Sequence, residues 1–425
     1  MLVTNINNWT RCAMLAAFFL STASGPVLAH SNASLQESNM PEQSANAAQA
    51  QYMLVTKQVH NIPEFTTFGG ESIKDVNVGW ESYGSLNADK SNVILITHFF
   101  TGTSHAAGKY HLDDEEPGYW DSIIGPGKAI DTERFFVISV DSLVNINAFD
   151  DNVITTGPAS INPDTGKPYG LSFPVVTMRD FVNVQKSVLS SLGIDTLYAV
   201  AGPSMGSMQA IEWASAYPEM VPRLISVIGA AQADGWTTAT LEQWTVPIKL
   251  DKNWHGGDYY HKARSEFPNA GLSAALALVT QSALAPEFFN QLNKQLLGDK
   301  SASEGLYDIA QSPAIVEWLM QRAQARTTTM DANHLLYLVR ANQLFLTGMQ
   351  DDLEQGLANI KAKTLFIPAS QDQLLMPYHS ERARDLLEAQ GKEVDLVYLE
   401  GDLGHLEGVS NIAIHSDIIR EFLAH

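Results

Sequence analysis

The stretch AVAGPSMGSMQAIEWA at residues 199–214 determines the fold expected of this chain, because it joins two patterns across one serine. An apolar run typical of a buried strand ends at Gly202, and helical spacing begins at Met205. Ser204 lies between them, with Gly202 and Gly206 two residues away on either side. A strand that turns directly into a helix through such a motif presents the serine hydroxyl at the carboxyl edge of a sheet. The sequence therefore predicts that Ser204 is a nucleophile.

Short apolar runs alternate with helical patterns on both sides of this stretch. The runs NVILITHFF and RFFVISVD are continuous, as in strands that are buried on both faces of a sheet. Such alternation predicts an α/β fold with a mostly parallel sheet and helices on both faces. The predicted strands are 76–84, 92–100, 134–141, 196–202, 223–231, 363–370 and 393–400, and the main predicted helices are 173–194, 205–218, 380–391 and 411–424.

Between residues 232 and 360 the strand signals stop and helical patterns take their place. We predict that this segment is a helical cap inserted between two strands of a core formed by residues 52–231 and 361–425. Trp236, Trp244 and Trp254 lie near the start of the cap. Two interpretations stay open: the tryptophans belong to the packed core, or they line an acyl pocket.

A serine nucleophile needs a base, and the base needs a group that orients it. In this kind of fold the acid and then the histidine follow the serine in the chain, on loops after late strands. Asp372 follows the strand at 363–370 and His405 follows the strand at 393–400, so they complete the predicted triad of Ser204. Asp402 is a rival orienting acid, but it is too near His405 in the chain to replace an acid at a strand end. Other histidines are predicted to be ordinary surface or core residues, namely His98, His105, His111, His255, His334 and His379.

The oxyanion hole is predicted to consist of two backbone N–H groups. One is the N–H of Met205, which directly follows the nucleophile at the start of a helix. The second comes from the loop after the strand at 92–100, where Phe100 is the candidate and Gly102 lets the loop turn. The Phe100 side chain is free to pack, because only its N–H is needed for this role.

The N-terminus is typical of an exported protein. Residues 1–29 combine Arg11, the apolar run CAMLAAFFL and small residues before Ala29, which predicts a signal peptide cleaved after Ala29 and a periplasmic or secreted location. Residues 30–51 contain no aromatic residue and predict a disordered linker. Cys12 is the only cysteine, so the mature chain would have no disulfide and no thiolate metal ligand. We expect no membrane span after cleavage.

Charge and metal-ligand spacing restrict the partners further. The formal net charge of -21 argues against nucleic acid, which requires a basic face. The acidic loop HLDDEEPG at 111–118 is either a solvated loop or a calcium site, and no histidine spacing is typical of zinc. No metal or cofactor is predicted, and the expected partner is a small ester or acyl donor.

The chain resembles the homoserine O-acetyltransferase family of the α/β-hydrolase fold. The resemblance rests on VGWESYGSLNADKSNVILITHFFTG, YWDSIIGPGKAIDTERFFVIS, TGPASINPDTGKPYGLSFPVVTMRD, GPSMGSMQAIEWASAYP and NWHGGDYY. It implies that Ser204 is acylated, that His405 is its base and that Asp372 orients His405. In the family acetyl-CoA or succinyl-CoA is the acyl donor and the homoserine hydroxyl is the acceptor, and dimers form through the cap.

The chain departs from that family at the positions that hold the acceptor. The family usually has an aspartate directly after the catalytic histidine, where this chain has Leu406, and an arginine at the start of the cap, where residues 231–248 contain none. Pro203 and Ser207 also replace family glycines in the elbow. Each lost charge-assisted contact is worth on the order of 1.5–3 kcal/mol. We therefore expect an exported ester hydrolase, with a CoA-dependent O-acyltransferase and a catalytically inactive binding protein as the alternatives.

Overall fold

The computed structural model describes residues 52–301 and 303–425. The expected signal peptide at 1–29 and the expected linker at 30–51 therefore lie outside the described residues. Within them, an eight-stranded sheet forms the centre of the molecule. We number its strands β1 (Gln58–Thr66), β2 (Ser72–Tyr83), β3 (Val93–Ile96), β4 (Phe136–Val140), β5 (Ala199–Pro203), β6 (Arg223–Val227), β7 (Lys363–Ile367) and β8 (Val394–Leu396).

The strand order across the sheet is β1-β2-β4-β3-β5-β6-β7-β8. The β1–β2 and β2–β4 pairs are antiparallel, and every other neighbouring pair is parallel. All four residues of β3 are buried, because their alternating side chains enter a different hydrophobic cluster on each face of the sheet. The mostly parallel sheet thus agrees with the fold class that the apolar runs predicted.

The helices that cover the sheet are α1 (Met178–Ser191), α2 (Met205–Ala216), α9 (Tyr378–Ala389) and α11 (Ser416–Ala424), and the short α10 (Glu407–Ser410) precedes α11. Apolar residues of α1, α2 and α9 pack on one face and those of α11 on the other. Helix α1 begins later than predicted, at Met178. The side chain of Asp180 accepts the Thr177 N–H, and this capping box fixes the start of the helix.

Six further α-helices lie between β6 and β7 in the described residues. They are α3 (Gly235–Leu250), α4 (Asn269–Ala283), α5 (Pro286–Leu297), α6 (Ala314–Arg326), α7 (Ala332–Gln343) and α8 (Leu353–Ala358). No strand of the sheet comes from this part of the described chain, where the cap was predicted. No single helix in the described ranges is long and apolar enough to cross a membrane, although the bent pair α4 and α5 together meets that test by length and composition.

Several strand predictions differ from the structure: the predicted strands at 92–100, 223–231 and 363–370 end at Ile96, Val227 and Ile367. Strand β1 was not predicted, because it pairs only with β2 at the edge of the sheet and most of its residues are exposed, so no apolar alternation marks it. The predicted strand at 393–400 is paired as a strand only at Val394–Leu396, and an isolated bridge between Ala369 and Leu399 continues the contact.

Candidate active site

Ser204 lies on a strained turn between β5 and α2. Its backbone has φ 58 and ψ -122, which an L-residue adopts only where the surrounding structure enforces it. Gly202 and Gly206 leave room for the end of β3, because a Cβ on either would lie 2.1 to 2.2 Å from atoms of Thr97. The Thr97 hydroxyl donates to the Gly206 carbonyl at 2.7 Å. The close approach of Thr97 therefore explains why glycine is needed at both positions.

The structure brings Ser204, His405 and Asp372 into one hydrogen-bonded chain. His405 Nε2 lies 2.7 Å from Ser204 Oγ, and His405 Nδ1 lies 2.6 Å from Asp372 Oδ2. All three residues are buried, with Ser204 7% exposed. Asp402, the rival acid, instead accepts from Gln291 Nε2 at 3.1 Å on the exposed surface. The arrangement supplies a nucleophile, a base and an orienting carboxylate within hydrogen-bond reach of one another.

Backbone groups hold the two partner loops in place. Asp372 Oδ1 accepts the N–H groups of Leu374 and Leu375 at 2.8 and 3.0 Å, which leaves Oδ2 for His405. In the histidine loop, Glu407 Oε1 accepts the Leu403 N–H at 2.8 Å. Burial raises the pKa of Glu407, and its bond from the Leu403 N–H opposes that rise. Both loops are thus ordered from within the core.

The loop that follows β3 supplies the second predicted oxyanion donor. Phe100 lines the same cavity as Ser204 and His405, and its ring packs edge-on against Trp244 with centroids 5.5 Å apart. Within residues 52–301 and 303–425, no protein acceptor is hydrogen-bonded to the Phe100 N–H. Met205 is the first residue of α2, so its N–H has no intrahelical partner. Both groups are therefore available to stabilise negative charge near Ser204.

The cavity at Ser204 contains about 510 Å³ of empty space, part of it open to solvent. Its walls come from the loop after β3, from α3, α4, α6 and α10, and from the loops that carry Asp372 and His405, and most of them are apolar. The residues that line it are Phe99, Phe100, Thr101, Ser204, Trp244, Val279, Thr280, Ala283, Arg326, Leu374, His405, Leu406 and Val409. None of these described residues is acidic. Arg326 Nη2 donates to Leu276 O at 2.9 Å and to Thr280 Oγ1 at 2.8 Å.

The three cap tryptophans have different surroundings. Trp244 is 2% exposed and lines the cavity, so the pocket interpretation and the core interpretation both apply to it. Trp254 packs against the core and donates from Nε1 to Asn333. Trp236 is 60% exposed and fits neither interpretation.

A buried charged cluster is bonded to the loop that follows β3, and the sequence did not reveal it. Glu81 accepts from Lys57 Nζ at 2.7 Å and bonds to His105 Nδ1 at 3.0 Å. Burial alone would raise the pKa of Glu81, but the bond from His105 and the charge of Lys57 lower it to about 2. Asp141 Oδ1 accepts the Ser104 N–H at 2.7 Å, which ties the cluster to the loop. His105, predicted to be an ordinary residue, is thus part of this cluster.

The acidic loop at 111–118 forms a turn. Asp114 Oδ2 accepts the N–H groups of Tyr110 and His111 at 2.9 and 2.8 Å. In the part of the chain that the structure describes, no three His, Cys, Asp or Glu side chains are grouped so that they could hold a metal ion. Calcium binding by this loop stays a prediction.

The sheet order, the serine on a strand–helix turn and the chain order Ser204, Asp372, His405 define an enzyme of the serine α/β-hydrolase class. A family model described as the alpha/beta hydrolase fold matches residues 155–407. Within that class, the chain belongs to the homoserine O-acetyltransferase family. It is 37% identical over 373 residues to the homoserine O-acetyltransferase of Methanococcoides burtonii, covering 88% of this chain and 74% of that protein.

Solved structures extend the comparison to esterases. The crystal structure of esterase E22 is 64% identical, with a TM-score of 0.84, and covers 87% of this chain and 100% of its own. The homoserine O-acetyltransferase of Bacillus anthracis is 37% identical, with a TM-score of 0.82, and covers 88% of this chain and 98% of its own. The similarity to homoserine O-acetyltransferases that the sequence motifs indicated is therefore confirmed, and an esterase is among the similar structures.

Proposed function

We propose that this protein hydrolyses small or medium esters through an acyl intermediate on Ser204. The observation that carries the proposal is the hydrogen-bonded chain Asp372–His405–Ser204, which opens onto a largely apolar cavity. The similarity to an esterase at 64% identity supports the same choice. Serine acyl transfer of this kind requires no cofactor and no metal ion.

In the first half of the reaction Ser204 Oγ attacks the ester carbonyl carbon, and His405 Nε2 takes the hydroxyl proton. The carbonyl oxygen becomes an oxyanion that accepts the N–H groups of Met205 and Phe100. When the intermediate collapses, the bond to the alcohol oxygen breaks and His405 gives its proton to that oxygen. Asp372 holds the Nδ1–H of His405 and stabilises the imidazolium throughout.

In the second half water attacks the acyl carbon of acyl-Ser204, and His405 Nε2 takes a proton from that water. The second oxyanion forms at the same two N–H groups. Collapse breaks the bond to Ser204 Oγ, which regains its proton from His405. The products are a carboxylic acid and the free serine, so one water molecule is consumed for each ester cleaved.

The acceptor side of the cavity favours water over homoserine. The ammonium group of homoserine would need a carboxylate, but Leu406 lies directly after the base and none of the described lining residues is acidic. A second candidate function, acyl transfer from acetyl-CoA to an amino-acid hydroxyl, is favoured by the family itself and by Arg326, which could attract a carboxylate. The two candidates differ in whether the acceptor accelerates loss of the acyl donor.

The test uses purified protein, a panel of p-nitrophenyl esters, and acetyl-CoA with and without homoserine. We expect ester hydrolysis that Ser204→Ala lowers on the order of 10⁶-fold, and acetyl-CoA consumption that homoserine leaves unchanged. Much faster acetyl-CoA consumption with homoserine would establish the transferase instead. If a fluorophosphonate probe fails to label wild-type protein at Ser204, the protein is an inactive binding protein on this fold.

Export is part of the proposal, supported by the N-terminal sequence and by the scarcity of acyl-CoA outside the cytoplasm. Expression of the full chain in a bacterial host should give periplasmic or secreted protein whose N-terminus is His30. A cytoplasmic protein that keeps residues 1–29 would contradict it. The homodimer through the cap likewise stays a prediction.

A further inference from the structure

The peptide unit between Phe99 and Phe100 carries the second predicted oxyanion donor. A trans peptide is planar, so its C=O and N–H groups point in opposite directions. The Phe99 carbonyl accepts the Gly102 N–H at 2.9 Å, and its oxygen lies 2.8 Å from His98 Nδ1. Whatever fixes the direction of this carbonyl therefore also aims the Phe100 N–H.

The contacts of His98 determine which of its ring nitrogens carries the proton. The Ser142 N–H points at His98 Nε2 from 3.0 Å, and a backbone N–H can only donate. Nε2 must therefore accept, so the proton of the neutral ring is on Nδ1, which donates it to the Phe99 carbonyl. His98 is fully buried, and burial lowers the pKa of its ring. The ring thus remains neutral near pH 7.

Other side chains hold the neighbouring carbonyls of the same loop. Asn147 Nδ2 donates to Thr101 O at 3.1 Å, and Asn145 Nδ2 donates to Gly102 O at 3.0 Å. These bonds shape the loop, but they lie on peptide units other than the one that carries the Phe100 N–H. In the described chain, His98 is the side chain that bonds directly to that unit.

We propose that His98 is a positioning residue of the oxyanion hole, which aims the Phe100 N–H at the reacting carbonyl oxygen by holding the Phe99 carbonyl with its Nδ1–H. This inference rests on the proposed function, since it assigns the Phe100 N–H a role in stabilising the oxyanion. A buried histidine that only satisfies two backbone groups would stabilise the fold without affecting that step in particular.

Two substitutions separate these roles. Asparagine can place an amide N–H where His98 Nδ1 lies, so His98→Asn keeps the donor to Phe99 but loses the acceptor for Ser142. Glutamine reaches the position of Nε2, so His98→Gln keeps that acceptor but loses the donor to Phe99. Removing one oxyanion donor costs about 10²- to 10³-fold in kcat. For a misaimed donor we expect kcat of His98→Gln to fall about 10- to 100-fold with KM nearly unchanged, and His98→Asn to retain more of the wild-type kcat.

Two readouts accompany the kinetics. The melting temperature of each variant reports the structural cost, and inhibition by a trifluoromethyl ketone, whose hemiketal oxyanion occupies the hole, should weaken in parallel with kcat. If the two variants lose kcat equally, or if the loss appears in KM, the positioning role is wrong. If wild-type protein neither cleaves esters nor takes the fluorophosphonate label, the proposed function is wrong. The hydrogen bond from His98 to Phe99 is then tested by the ¹⁵N chemical shifts of its ring, which need no activity.

The ¹⁵N chemical shifts of the His98 ring in wild-type protein test the inference without a variant and without activity. We expect the signature of a neutral ring protonated at Nδ1 at pH 7. A ring protonated at Nε2, or an imidazolium, would overturn the assignment, because neither is compatible with accepting the Ser142 N–H while donating to Phe99.

Discussion

At the residue scale, Asp372 and Asp402, the two acids that the sequence offered as partners of His405, have different surroundings. Asp372 lies in the loop that follows β7, and three hydrogen bonds converge on its buried carboxylate. Asp402 lies in the histidine loop, where its exposed carboxylate accepts a hydrogen bond from Gln291. Of these two acids, Asp372 is therefore the one that is hydrogen-bonded to His405, as its predicted orienting role requires.

Asp372→Asn should lower kcat about 10⁴-fold, because the amide oxygen would take the Leu374 and Leu375 N–H groups and leave an N–H facing His405 Nδ1. That arrangement favours the wrong tautomer of the base. Steady-state ester hydrolysis measures the effect. Asp402→Asn is the matched control and should stay within about twofold of wild type, since its partner is a surface glutamine. A comparable loss in both variants would contradict the assignment.

The sequence could predict the hydrogen-bonded set of Ser204, His405 and Asp372, but it could not predict the contacts of His98. Ser204, Asp372 and His405 each follow a recognisable strand, and the chain order of the fold relates them. His98 acts through a carbonyl of the adjacent residue and a backbone N–H from Ser142, 44 residues away in the chain. Every residue type other than proline carries both a backbone N–H and a backbone carbonyl. The residues at positions 99 and 142 therefore give no sign in the sequence that His98 is bonded to them.

At the scale of elements, three small residues lie where α2 meets the end of β6. Ser207 on α2 bonds to Ser226 on β6 at 2.6 Å, and a Cβ on Gly229 would lie 1.8 Å from the Ser207 hydroxyl oxygen. The serine at position 207, where the related family has glycine, is therefore accommodated by the absence of a side chain at Gly229.

Gly229→Ala should destabilise the protein by about 1–3 kcal/mol, because the new methyl group and the Ser207 side chain cannot occupy the same space. Adding Ser207→Gly removes the collision, so the double variant should be more stable than the sum of the two single effects predicts. Urea unfolding of the wild type, both single variants and the double variant measures the coupling. Strict additivity would show that the two positions do not compete for space.

Element boundaries were less predictable than the elements themselves. The parallel strands at the centre of the sheet were recognised because burial on both faces leaves continuous apolar runs. Strand β1 at the edge of the sheet was missed because it pairs only with β2 and most of its residues are exposed to solvent. Local hydrophobicity reports burial, and an edge strand has little of it.

At the scale of the whole molecule, Lys57, Glu81 and Asp141 join three neighbouring segments of the sheet. Lys57 directly precedes β1, Glu81 belongs to β2, and Asp141 follows β4. The carboxylates of Glu81 and Asp141 are fully buried and the ammonium group of Lys57 nearly so. Buried ion pairs add little net stability over apolar packing, but the loss of one partner leaves a charge without compensation.

Glu81→Gln should lower the free energy of unfolding at pH 7 by about 3–5 kcal/mol, because the nearly buried ammonium group of Lys57 loses the carboxylate that lies 2.7 Å from it. The same carboxylate predicts a pH dependence. The pKa of Glu81 is about 2 in the folded protein against 4.5 for a free carboxyl, so its stabilisation is complete above pH 4.5 and is lost as the pH falls toward 2.

Urea unfolding of wild type and Glu81→Gln between pH 2 and pH 7 measures what the Glu81 charge contributes to stability. The difference in free energy of unfolding between the two proteins should shrink as the pH falls below 4.5. Asp164→Asn is the control, because it breaks only an exposed pair with Lys74 and should leave the free energy of unfolding nearly unchanged. A constant difference between wild type and Glu81→Gln across the pH range would contradict the lowered pKa.

The loop that bears His405 touches the cap at Gly404, whose φ is +63 and where a Cβ would lie 2.8 Å from the amide nitrogen of Ala285. Ala285 joins α4 to α5, the part of the cap that also forms a wall of the cavity. A cap transplanted from a relative would therefore bring new substrate contacts and a new neighbour for the catalytic base in the same step. A change in substrate contacts at this joint would therefore also change the surroundings of His405.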